Sequence, residues 1–122
     1  MKSSILRDKS FALAILIVKV AQSLQKEKEY VLSKQLLRSG TAIGALLREG
    51  EFAASTADFI NKLTVALKEA NETEYWLLLL NPTDYIKLQQ YKELSSNCQE
   101  LIAMLVASIN TLKSKNMGKV LK

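Results

Sequence analysis

Glu69, Glu72 and Glu74 stand close together in the chain, and Arg38, on another segment, is a candidate counter-charge. Three carboxylates could ligate a hard divalent cation through oxygen, or divide the work of general acid and base. Two absences weigh against both. The 122 residues contain no histidine, and no second carboxylate cluster faces the trio. Without histidine there are no Ser–His or Cys–His pairs, no Glu-x-x-His motif for a two-metal bundle, and almost no familiar zinc site. The trio is therefore read as a solvated face, or as half of an interhelical ion pair in which Arg38 meets Glu69 and Glu72. Arginine suits that role because its planar fork meets a carboxylate at two points.

The other reactive types are sparse. Cys98 is the only cysteine, so no disulfide forms within the chain. It reads as a small buried helix residue in a reducing compartment. There is no Gly-Lys-Ser/Thr ending for a phosphate loop, no Gly-x-Ser-x-Gly elbow and no zinc pattern. Tyr75 and Trp76 precede Leu77–Leu80 and read as core and interface packing. An aromatic platform for bases would want cations nearby, and none lies between Glu69 and Leu80. No catalytic residue, metal or cofactor is expected.

Charge is the remaining chemistry. There are 17 basic and 12 acidic residues, a net charge of +5. Lys113, Lys115, Lys119 and Lys122 lie near the C-terminus with no acid among them, and Lys2, Arg7 and Lys9 near the N-terminus are opposed only by Asp8. Removing those seven basic residues from 17, and Asp8 from 12, leaves ten against eleven. The body is neutral and the positive charge belongs to the ends, which become the candidate phosphate contacts. Lys2, Arg7 and Lys9 followed by FALAILIV also imitate a secretory leader. A cut after Ala21 would put Lys19 where a small residue is required, and the apolar run falls short of the roughly 20 residues that span a bilayer. A cytoplasmic protein with no membrane segment is expected.

These side chains need elements to hold them. One proline and four glycines among 122 residues argue against a turn-rich β fold, and Leu, Ala, Lys, Glu and Gln favour helices. Apolar residues spaced by threes and fours predict helices over about 9–25, 31–51, 56–80 and 87–113, with a frayed basic tail over 114–122. Asp8 or Ser10 is the expected cap of the first helix. Ser55 and Asp58 resemble a capping box before the third, and Pro82 follows its end. The chain is read as one all-α domain, an antiparallel up-down-up-down four-helix bundle.

Two features do not suit an ordinary bundle. Gly40 and Gly44 lie on the apolar stripe of the second helix, although each glycine costs about 1 kcal/mol relative to alanine. Ala66, Ala70 and Thr73 of the third helix are the expected small partners, allowing close approach of two backbones. The first helix has only Lys19 as a polar residue between Phe11 and Ala21. With almost no wet face it is expected to be buried on two sides by self-association, through residues such as Phe11, Ile15 and Val18, with Trp76 among the packing or interface residues. Burying one such side chain is worth about 1.5–3 kcal/mol.

Three blocks carry a family resemblance: LLRSGTAIGALLREGE from Leu36, STADFINKLTVALKEANETEYWL from Ser55, and NCQELIAMLVASINTLK from Asn97. They resemble the four helix bundle proteins, also called ribosomal-RNA intervening-sequence proteins, over roughly 9–113. The most specific positions are Arg38-Ser39, Ile43-Gly44-Ala45, Glu49-Gly50, Ser55, Asp58-Phe59, Leu67 through Ala70, and Glu72 through Leu77. Leu46-Leu47 departs from the Asn-Ile common in the family. The resemblance implies a ring-like homopentamer. It also implies kinship with accessory proteins of diversity-generating retroelements, which look like basic pentamers that bind nucleic acid and a reverse transcriptase. It brings no enzymatic activity. The first expectation is a non-enzymatic oligomer that binds RNA or DNA through its basic ends without reading sequence. The second is a protein-binding scaffold with no nucleic-acid role.

Overall fold

The computed structural model describes the backbone of residues 2–121 and the side chains of residues 5–117. It contains four helices: α1 (Lys2–Lys26), α2 (Tyr30–Gly50), α3 (Thr56–Leu80) and α4 (Leu88–Leu121). No strand occurs among the described residues. Each helix packs on its sequence neighbours, and α4 closes on α1 across the thinnest of the four seams, with no close backbone approach across either diagonal among the described residues. That is the up-down-up-down arrangement, and it puts both chain ends at one pole. Every helix turns an apolar stripe inward: Leu13 and Ile17 from α1, Leu36 and Ile43 from α2, Leu63 and Leu77 from α3, Leu101 and Leu105 from α4 are fully buried.

The boundaries follow local chemistry. Ser55 opens α3, its Oγ accepting from Asp58 N–H at 3.1 Å. Asp58 answers by accepting from Ala54 N–H at 3.1 Å, one residue before the position a capping box would use. Glu29 opens α2 by accepting from both Val31 and Leu32 N–H at 2.8 Å. The end of α1 is sealed by Lys28, at φ 64°. Glu29 N–H reaches the Leu24 carbonyl at 2.9 Å and Lys28 N–H the Gln25 carbonyl at 2.9 Å. This is a Schellman closure with lysine in the place glycine usually takes.

Two expected boundaries are corrected. The first helix starts at Lys2 instead of about residue 9, so neither Asp8 nor Ser10 is its cap. Ser10 lies inside the helix, fully buried, and donates to the Arg7 carbonyl at 2.9 Å. The segment expected as a frayed tail continues α4 to Leu121. Its lysines are good helix formers, and a single glycine, Gly118, costs only about 1 kcal/mol in a helix already nucleated upstream.

The glycines meet a different partner from the one expected. A Cβ on Gly40 would lie 2.7 Å from Ile17 Cγ2, and one on Gly44 would lie 3.3 Å from Ser10 Oγ. Both therefore open α2 towards α1, not towards Ala66 and Ala70 of α3. The α2–α3 seam is made one residue earlier, where the hydroxyls of Ser39 and Thr73 are hydrogen-bonded at 2.9 Å in the core. Ala66 and Ala70 are fully buried, and Cys98 on α4 donates to the Ala70 carbonyl at 3.3 Å. Leu47 joins the core and Leu46 packs against it, so apolar packing occupies the positions where Asn-Ile was the alternative.

Candidate functional site

The three glutamates separate once they are on a helix. At 100° per residue, Glu74 is carried to the opposite flank of α3 from Glu72. Glu69 and Glu72 face α2 and Arg38. Arg38 Nη1 lies 3.0 Å from Glu69 Oε2 and 3.3 Å from Oε1, while Nη2 pairs with Glu72 Oε2. Trp76 Nε1–H donates to the same Glu72 oxygen at 3.0 Å. The donated bond from Trp76, with Arg38 alongside, holds the Glu72 carboxyl below the usual range. Glu72, with Glu69, raises Arg38 in return. Trp76 is partly buried, and Tyr75 packs edge-on against it with ring centroids 5.1 Å apart. The arrangement is a clamp between α2 and α3, with all its carboxylates engaged.

Glu74 faces α4, where three donors converge on Oε1: Tyr91 Oη at 3.0 Å, Ser95 Oγ at 2.7 Å and Gln99 Nε2 at 3.4 Å. Its Oε2 is buried without a partner. The four-residue spacing of Tyr91, Ser95 and Gln99 is the signal that could have revealed this seam, since it places three donors on one face of α4. Beside it, burial and then the Glu74 charge push the Cys98 thiol up to about 12. That thiol is neutral at ordinary pH and a poor nucleophile. Among the described residues no group of three or more Cys, Asp or Glu is placed to hold a metal ion.

The basic ends are only partly available. Arg7 Nη1 donates to Glu51 Oε1 at 3.0 Å, and Lys9 Nζ lies 2.7 Å from Glu100 Oε1. These pairs tie α1 to the end of α2 and to α4. Lys113 and Lys115 are exposed. Lys2, Lys119 and Lys122 lie outside the residues whose side chains are described. The seam between α3 and α4 pairs Glu74 with Ser95 and Ala70 with Cys98. Continued along both helices, it brings Thr56, the start of α3, level with about Leu112. From Lys113 onward α4 runs past the start of α3, and Lys113 and Lys115 are exposed there.

The outer face of α1 is apolar over its middle turns, between Asp8 and Lys19. Phe11 is 66% exposed, Ile15 44% and Val18 37%. The three repeat at helical spacing and form a single ridge. No helix of the described residues is long and apolar enough to cross a membrane.

Known proteins agree with this architecture. The family model described as 23S rRNA-intervening sequence protein matches residues 2–107. A crystal structure of a protein of unknown function from the S23 ribosomal protein family of Bacteroides thetaiotaomicron VPI-5482 shares 51% sequence identity, with a TM-score of 0.87. The match covers 90% of this chain and 99% of that one. No curated protein matches the chain. With a family model that matches most of its length, this chain belongs to the 23S rRNA-intervening sequence protein family.

Proposed function

We propose that the protein is a non-enzymatic, self-associating bundle that binds RNA or DNA without reading sequence, through cations gathered at one pole. The reading is carried by the Phe11–Ile15–Val18 ridge, which a single copy leaves in water. A second copy is the natural cover for a ridge on a helix with so little polar surface. The homopentamer implied by the family resemblance would repeat the projecting α4 ends around one pole. Lys113 and Lys115 would then meet phosphates from several directions, with affinity supplied by counterion release. Among the described residues no arrangement of nucleophile, base and orienting group supports an enzyme, and the reduced, buried Cys98 suits the cytoplasm.

A gel shift at low salt tests the nucleic-acid half. The full chain is expected to shift RNA and DNA, with affinity falling steeply as salt rises. Deleting residues 113–122 is expected to weaken the shift at least tenfold. Equal binding by the truncated and full chains would remove this pole as the site.

The Arg7–Glu51 and Lys9–Glu100 pairs favour a second reading, because they neutralise two of the candidate phosphate contacts. In that reading the assembly is a protein scaffold, with a reverse transcriptase the partner suggested by kinship. A partner retained after nuclease treatment would support it.

A further inference from the structure

We propose that Phe52 is a stacking platform for an unpaired nucleobase, so that this pole takes single-stranded RNA or DNA in preference to duplex. The inference rests on the nucleic-acid reading above and adds to it a residue and a strand class.

Phe52 sits on the connector between α2 and α3, at the pole where both chain ends emerge. Its ring is 85% exposed, more than any other large apolar side chain among the described residues. Beside the connector lies a hollow of about 450 Å³ with apolar walls that include Leu6, Leu47, Ala53, Phe59 and Leu63, and Phe52 is not among them.

The backbone of the connector is tied. The N–H groups of Glu51, Phe52 and Ala53 bond to the carbonyls of Arg48, Glu49 and Gly50 at 3.2, 3.1 and 3.1 Å. Two residues on, Ser55 and Asp58 fix the start of α3. The ring is therefore displayed from a tied connector.

The charges at this end suit the same ligand. Lys113 and Lys115 are exposed on α4 where it runs past the start of α3, at the same end of the bundle as the Phe52 connector. Of the nearby acids, Glu51 is engaged by Arg7, and Asp58 accepts from Ala54 N–H. Glu49 stays exposed. A flat apolar face beside cations is how single strands are held without sequence preference: the cations follow the phosphates while the ring stacks on any base. A duplex offers the phosphates but keeps its base faces stacked inside, so only the single strand uses both features.

Fluorescence anisotropy of the full chain tests this at low salt, with labelled oligo(U), oligo(dT) and a duplex of equal length. Both single strands are expected to bind several-fold more tightly than the duplex. Phe52→Ala is expected to weaken single-strand binding by about 5- to 100-fold and leave duplex binding unchanged. Phe52→Trp should retain the single-strand affinity. Lys113→Gln with Lys115→Gln should weaken both strand forms alike, and light scattering should give Phe52→Ala the wild-type mass. Equal single-strand affinity of wild type and Phe52→Ala overturns the inference while leaving the nucleic-acid reading standing. A changed mass overturns it too, by making the ring a subunit contact. No binding of either strand form by the wild type overturns both.

Discussion

At Gly40 one added carbon would have nowhere to go. The nearest atoms are Ile17 Cγ2 and Cγ1, at 2.7 and 2.9 Å, and Ile17 is a β-branched side chain with no exposed surface. At Gly44 the nearest atom is the Ser10 hydroxyl oxygen, at 3.3 Å, which need give way by only a few tenths of an ångström. Gly40→Ala is therefore expected to destabilise the fold by about 1–3 kcal/mol through overpacking, beyond any gain in helix propensity. Gly44→Ala is expected to be neutral, or stabilising by up to about 1 kcal/mol. Urea unfolding midpoints of the two variants check the contrast. The need for small residues here was legible from sequence, but their partner was not. Periodicity gives a residue's side of its own helix, and it does not say which neighbour that side meets.

Glu72 carries a pH signature at the same scale. Its folded carboxyl is held below the usual value of 4.5, chiefly by the Trp76 hydrogen bond and then by Arg38. A depressed folded pKa stabilises the protein above the unfolded value and loses that contribution as pH falls through the folded one. Replacing Glu72 with Gln removes the titration. The loss of stability between pH 7 and about pH 3, measured by urea midpoints, is therefore expected to be smaller in the variant than in the wild type.

The helices themselves were largely legible because their apolar spacing is long and regular. Their ends were less so, and each miss has a physical reason. Glu29 opens α2 with a longer side chain than the usual Ser, Thr, Asp or Asn caps. Lys28 and Asp84 close α1 and α3 at φ 64° and 69°, where glycine is the usual marker. A lysine in the left-handed region costs about 1–2 kcal/mol, of which glycine would return part after its own entropy cost. Lys28→Gly is therefore expected to raise stability by up to about 1 kcal/mol, read as a rise in melting temperature of a few degrees. The extension of α4 to Leu121 was hidden for another reason. Apolar periodicity fades once a helix leaves the body, while helix propensity carries on.

Across the whole molecule, the candidate site divides by how far its evidence reaches in sequence. The unbroken apolar run of α1 was visible as a run, so a ridge at Phe11, Ile15 and Val18 could be expected. The Arg7–Glu51 and Lys9–Glu100 pairs join residues far apart in the chain, and no local pattern announces them. They engage Arg7 and Lys9, and leave Lys113 and Lys115 as the exposed cations of that pole among the described residues. Phe52 gave no signal either, since a lone aromatic in a connector has no period. The ridge, the projecting lysines and the pole become one device only when copies assemble, so subunit number decides between an assembled device and an isolated bundle. Light scattering at micromolar concentration measures it directly, beside a variant carrying Phe11→Ser, Ile15→Ser and Val18→Ser. The wild type is expected near 68 kDa, five times the 13.6 kDa chain. The variant is expected to fall to a single helical subunit. A wild-type mass of 13.6 kDa, or a variant that keeps the wild-type mass, would contradict the account.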